Sequence, residues 1–126
     1  MKIILENIFK EHAEQVLFAY LFGSQEQEKT SFNSDVDIAV YLKDELFKSA
    51  FDIKSRLYVN ISKALKRNDI DLVILNTCQN LILLDQIIRQ GSVIYCKDEL
   101  KRMDFEVMTL HKSIDFRQQR LMAMGI

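Results

Sequence analysis

Four short apolar runs, LFAYLF at 17–22, SDVDIAVYL at 34–42, IDLVIL at 70–75 and SVIYC at 92–96, are separated by stretches whose apolar residues recur every three or four positions. Runs of that length read as strands and the intervening rhythm as helices. A chain that alternates the two buries a sheet against helices, which excludes a helical bundle and a sandwich of sheets. Proline is absent from the 126 residues and glycine occurs three times, at 23, 91 and 125, so nothing reads as a linker. The expectation is one domain over 1–126, large enough for a core without disulfides or a structural metal.

Leu5, Ile8, Phe9, His12 and Val16 predict an amphipathic helix over 4–16. From Asp44, read as an N-cap, the apolar positions Leu46, Ala50, Ile53, Leu57, Ile61 and Ala64 predict a long helix that stops near KRND. A third helix over 79–90 turns Leu81, Leu84 and Ile88 inward and places Gly91 just past its end. In the tail from Asp98 to about Arg120, Leu100, Met103, Val107, Leu110, Ile114 and Leu121 form the stripe predicted to face the core. Phe105, Met108 and Phe116 fall on the opposite side and are predicted to form a partner surface. The order is α, β, β, α, β, α, β, α: an α/β fold with a small mixed sheet flanked by helices and ending in a C-terminal helix.

Lys and Arg total 17 against 18 Asp and Glu, a net charge of -1, which gives no general reason to hold a nucleic acid or an anionic membrane. Cys78 and Cys96 lie 18 apart without CxxC spacing, far in sequence from His12 and His111, so they read as reduced thiols and not as a zinc site. No stretch approaches the ~20 apolar residues of a membrane span, and the first apolar run meets Glu6 at once, so a cytoplasmic location is expected.

Three carboxylates stand in the most apolar strands, where Asp is ordinarily depleted. Asp35 and Asp37 are two apart on one strand, so both side chains leave the same face with Cα atoms ~6.5–7 Å apart. Asp71 interrupts the next core strand, and pairing alongside would bring its carboxylate to within roughly 5 Å. Three converging anions repel and are costly to desolvate unless a cation sits between them. A divalent metal such as Mg²⁺ takes hard oxygen ligands of this kind together with substrate phosphates, and two such ions can clamp both oxygens of a phosphoryl displacement. Gly23-Ser24, directly after a strand, offers the phosphates a seat of backbone N–H groups and one hydroxyl.

LFGS, ten residues, DVDIAV and then NDIDLVIL resembles the signature of the DNA polymerase β-type nucleotidyltransferases. Within them it is most similar to the minimal nucleotidyltransferases that act as antitoxins beside HEPN-domain toxins. The resemblance implies transfer of AMP from ATP to a protein hydroxyl, that of a cognate HEPN toxin. It implies that Gly23 and Ser24 hold the triphosphate and that Asp35 and Asp37 bind metal, with two Mg²⁺ ions expected. By the same resemblance, Asp71 completes the metal site and helps to activate the attacking hydroxyl. The chain departs from the signature at Gln25-Glu26-Gln27-Glu28-Lys29, where Glu26 and Glu28 are expected to point to solvent. A small-molecule acceptor such as an aminoglycoside, and a non-catalytic antitoxin that inhibits by binding, are the alternatives. Direct nucleic-acid binding is not expected, and self-association is left open.

Around this set, Ser34 reads as a turn hydroxyl with a secondary role toward nucleotide, and Asp69 as a turn residue in phase with Asp71. Lys43 reads as solvated and Tyr41 as a core residue, with a phosphate contact and a base contact as their respective alternatives. His12 and His111 read as ordinary helix residues.

Overall fold

The computed structural model describes residues 1–23 and 36–123, the side chains of 45–47 and 120–123 excepted. Along the chain come α1 (Lys2–Glu11), β1 (Val16–Phe22), β2 (Val36–Leu42), a 3₁₀ segment (Asp44–Ser49), α2 (Ala50–Leu65), β3 (Ile70–Ile74), α3 (Leu81–Gln90), β4 (Ser92–Cys96) and α4 (Glu99–Ala123). The strands form one mixed sheet in the order β3-β2-β1-β4. β1 pairs antiparallel with β2 and β4, while β2 and β3 are parallel, so α2 serves as the crossover that a parallel pair requires.

Each sheet face has its own core. On one side, Leu21, Val36, Ile38, Val40, Leu72 and Ile74 pack with Leu5, Ile8 and Phe9 of α1 and Ile53, Leu57 and Ile61 of α2. On the other, Phe18, Tyr20, Phe22, Ala39 and Leu75 pack with Leu84 and Ile87 of α3, and Phe105 of α4 joins them. Strand alternation places Asp37 and Asp71 on this second face, in phase with Ala39, Tyr41, Val73 and Leu75.

The predicted element order holds, with shifted ends. α1 stops at Glu11, and Val16 begins β1 opposite Leu42, because an apolar residue at that position satisfies the same core from either element. Asp44 is not an N-cap; its carboxylate accepts from the Tyr41 hydroxyl (3.0 Å) and the Lys101 ammonium (2.9 Å), and α2 begins six residues later. Leu46 lies outside the described side chains. α3 starts at Leu81, where the Asn80 side chain accepts from Leu83 N–H (3.1 Å), and it buries Ile87 while Ile88 is half-buried. Gly91 is extended, not left-handed, and is required for space: a Cβ there would lie 2.5 Å from the Ile87 carbonyl oxygen and 3.2 Å from that of Leu21.

α4 overturns the predicted facing. Leu100 (76% exposed), Met103 (54%), Val107 (53%) and Ile114 (46%) form an outward stripe, and Leu110 is half-buried. The Leu121 side chain lies outside those described. Phe105, expected on a partner surface, packs inward with its ring centroid 5.7 Å from Phe18 and 5.3 Å from Tyr41; Phe116 is half-buried and Met108 exposed. The reason is that the buried side of α4 is polar. Tyr20 donates its hydroxyl to Glu106 (2.6 Å), which Arg102 also holds (2.9 Å), and burial followed by Glu106 pushes the phenol far above its usual range. Ser113 and Arg117 donate to Asp85 of α3 at 3.1 and 3.0 Å, and Arg89 donates to the same carboxylate at 2.8 Å. Burial alone would raise the Asp85 carboxyl; these donors outweigh it and hold the carboxyl below the ordinary carboxylate range.

Phe105→Ala is therefore expected to cost about 1–2 kcal/mol, the area term for a half-buried aromatic ring. Ser in place of both Leu100 and Met103 should stay within the ~0.5 kcal/mol scatter of surface substitutions. Urea unfolding of the three proteins checks both.

Candidate active site

The C-terminal end of β1 and the N-terminal ends of β2 and β3 meet at one end of the sheet. Phe22 is opposite Asp37, and Asp37 is the register partner of Asp71 across the parallel pair. Neighbouring strands are about 4.8 Å apart, and paired residues send their side chains to the same face, so the two carboxylates stand side by side. Asp37 is half-buried. Asp71, expected inside a core strand, is exposed, because β3 is one of the two outer strands of the described sheet.

Gly23 closes this corner. Its φ of +77° lies in the left-handed region, and a Cβ there would overlap the Asp37 carboxylate, with Asp37 Cγ at 3.2 Å. Glycine is needed both for the backbone turn after β1 and for the close approach to Asp37. Of the residues singled out in the sequence, the structure thus brings together Gly23, Asp37 and Asp71. Ser24, Ser34 and Asp35 lie outside the described residues, as do Glu26, Glu28 and the rest of the departure at 25–29.

The remaining candidates sort out by position. Asp69 holds Arg67 through two hydrogen bonds (2.8 and 2.5 Å), which depress its carboxyl, while its backbone carbonyl accepts from Val36 N–H (2.9 Å); it is a turn residue that anchors the start of β3. Lys43 follows the far end of β2, roughly 20 Å from Asp37 at the rise of a strand, so it is not placed for a phosphate at this corner. Tyr41 stacks on Phe18 (4.8 Å between centroids, 9° between planes) as a core residue. His12 contacts Asn60 (2.9 Å), and His111 is exposed on α4. Cys78 and Cys96 are free thiols.

Two features were not read from the sequence. The Asn76 side chain accepts from Leu42 N–H (2.8 Å) and donates to Leu42 carbonyl (2.9 Å), extending the β2–β3 ladder past Ile74. Phe51 and Lys54 of α2, off the apolar stripe of that helix, line a shallow depression of about 360 Å³ that also includes Asp71. A larger cavity of about 580 Å³, lined by Tyr41, Asn76, Leu81, Lys101 and Phe105, opens at the opposite end of the sheet, away from the carboxylates.

Residues 4–100 match the family model described as Polymerase beta, Nucleotidyltransferase. The chain belongs to that nucleotidyltransferase family. Its substrate is accordingly a nucleotide. Among curated proteins no sequence matches. Among solved structures the chain is similar to a toxin-antitoxin with AMP-PNP, at 26% identity and TM-score 0.78 over 98% of this chain and 95% of that one. It is similar at 25% identity and TM-score 0.70, over 99% and 97%, to a chain of the complex of tri-AMPylated Shewanella oneidensis HEPN toxin with MNT antitoxin. A mutant MntA-HpeT toxin-antitoxin shares the fold at 24% identity and TM-score 0.80, over 99% and 96%.

The donor set suits a divalent metal: hard carboxylate oxygens on adjacent strands, beside a glycine whose missing Cβ admits the Asp37 carboxylate. Among the described residues no group of three His, Cys, Asp or Glu side chains could hold one; Asp35, expected as the third member, lies outside them. Asp37→Asn is nearly isosteric and is expected to keep the fold while lowering nucleotidyl transfer by on the order of 10²-fold or more. Gly23→Ala should do the same by displacing that carboxylate. Circular dichroism together with transfer rates checks both; wild-type rates in folded variants would contradict these roles.

Proposed function

We propose that this nucleotidyltransferase is an antitoxin that transfers AMP from ATP to a hydroxyl of its cognate HEPN-domain toxin, with Mg²⁺ as cofactor, in the cytoplasm. The observation that carries the reading is the register of Asp37 with Asp71 beside Gly23. The likeness to chains of a toxin-antitoxin with AMP-PNP and of a complex of a tri-AMPylated HEPN toxin with MNT antitoxin supports the choice of nucleotide and acceptor, and it extends over α4 as well as the catalytic corner.

In this reading the backbone at Gly23 and the hydroxyl of Ser24 hold the triphosphate, with Ser34 beside it, so that the α-phosphate faces the carboxylates. Asp35, Asp37 and Asp71 would hold two Mg²⁺ ions, which when bound neutralise charge on the phosphates and the departing pyrophosphate. The acceptor oxygen bonds to the α-phosphorus as the bond to the bridging oxygen breaks. Pyrophosphate leaves with that electron pair, and the Asp71 carboxylate takes the hydroxyl proton. The chain supplies position and electrostatics, which is most of what phosphoryl transfer requires.

A small-molecule acceptor such as an aminoglycoside would need walls around it, and Asp71 instead opens outward on an edge strand. The outward apolar stripe of α4 favours a docked protein in the same way. Incubation of the chain and its cognate toxin with ATP and Mg²⁺, followed by intact mass, is expected to show AMP increments on the toxin. No increment with a folded, ATP-binding protein would leave an inhibitor that acts by binding alone.

A further inference from the structure

β3 is an outer strand of the described sheet, and its ladder fixes which backbone groups turn away from β2, on residues whose side chains are buried in the core. Asp69 carbonyl accepts from Val36 N–H, and Leu75 N–H donates to Val40 carbonyl, so the odd-numbered residues of β3 point their N–H and C=O groups at β2. In an extended strand both groups of one residue point the same way, so Ile70, Leu72 and Ile74 turn theirs to the edge that pairs with no other described strand. Tyr58 donates its hydroxyl to the Asn68 carbonyl (3.1 Å) just before this run, and Thr77 bonds the Ile74 carbonyl (3.3 Å) just after it. Between these two ends lie the outward groups of Ile70 and Leu72 and the N–H of Ile74.

Beside that edge runs a trough. One depression is lined by Phe51, Lys54, Tyr58, Ile70 and Asp71, and a second, of about 300 Å³, by Phe51, Lys54, Ile74 and Thr77. They share Phe51, which is 80% exposed, and Lys54, also exposed, so they form one track along β3 from the candidate catalytic carboxylate to the end of the strand. A large exposed apolar ring and an ammonium with no ion partner among the described residues, beside a strand edge that pairs with no other described strand, are what an added extended segment would use.

Resting on the proposed AMP transfer, we propose that the β3 edge receives an extended segment of the partner protein that carries the acceptor hydroxyl. Paired residues on adjacent strands share a face. A partner residue opposite Asp71 therefore projects onto the face of Asp37 and Asp71, which brings a Ser, Thr or Tyr hydroxyl to the carboxylates from the side left open. The residues before and after it project to the other face, over the trough beside Phe51 and Tyr58. The segment thus has a hydroxyl residue between apolar ones, with an acidic residue within reach of Lys54. A second copy of this chain is disfavoured as occupant, because pairing β3 with β3 would set two Asp71 carboxylates on neighbouring strands.

Two measurements on the complex with the cognate HEPN toxin test this. Residue-resolved amide exchange should show the Ile70 and Leu72 N–H groups slowed at least tenfold in the complex relative to the free chain; unchanged exchange overturns the proposal, whether or not AMP is transferred. Phe51→Ala and Lys54→Glu both change exposed side chains. They should raise the KM for the toxin about tenfold or more while leaving MgATP affinity and kcat at saturating toxin near wild type. An unchanged KM for the toxin overturns the proposal. So does weakened MgATP affinity with unchanged toxin binding, because it would make the trough a nucleotide subsite. Protected edge amides with no AMP increment from the wild-type pair would support the docking surface and locate the failure in the proposed transfer reaction.

Discussion

The parallel pairing of β2 with β3, in the register that places Asp37 against Asp71, is the constraint on which the remainder of this molecule depends. Two like charges on neighbouring strands work against the sheet, and nothing in the packing of an α/β core asks for them. The register is nevertheless strongly determined. Ile38, Val40, Leu72 and Ile74 all face α1 and α2, and a slip of one residue would send each of them to the wrong side. Asn76 ties the far end of the pair to Leu42, and Asp69 ties the near end to Val36. The apolar ladder thus compels the two carboxylates to meet, and Gly23, which alone leaves room for Asp37, completes the corner.

The face that bears the carboxylates has to be covered without closing the corner. α3 does so with Leu84 and Ile87, and α4 is held to it largely by polar contacts: the buried Asp85 with Arg89, Ser113 and Arg117, and Tyr20 with Glu106 and Arg102. A buried carboxylate that lost these donors would be costly, so the cluster specifies where α4 lies as much as it stabilises it. With α4 secured largely through polar groups, Leu100, Met103, Val107 and Ile114 are left facing outward.

That arrangement explains what could and could not be read from the sequence. The strands and their succession along the chain were legible because period-two alternation and buried β-branched runs leave little choice, and the approach of Asp71 to the strand of Asp37 followed once the two strands were taken to pair. The exposure of Asp71 was not, since nothing local distinguishes an edge strand from a central one. Met108 apart, α4 was read with its faces exchanged: apolar periodicity finds the most hydrophobic stripe, and here the inward face carries Arg102, Glu106, Thr109 and Ser113, of which Glu106 and Ser113 find partners 86 and 28 residues away in sequence. Gly91 was read correctly as positional but for the wrong reason, because a close approach of α3 to Leu21 leaves no trace in local sequence. The readings of Ser24, Ser34 and Asp35 fall outside the described residues and stand as part of the proposal.

The central claim is that Asp37 and Asp71, forced together by the sheet and joined by Asp35, hold metal for a nucleotide seated at Gly23. Titration with Mn²⁺ followed by electron paramagnetic resonance, in the presence of a non-hydrolysable ATP analogue, tests it most directly. The account predicts that the wild-type chain and the nucleotide bind Mn²⁺ together with a broadened ternary signal, and that this signal is lost in Asp37→Asn and in Asp71→Asn while both variants stay folded. Equal Mn²⁺ and nucleotide binding in wild type and both variants would contradict it.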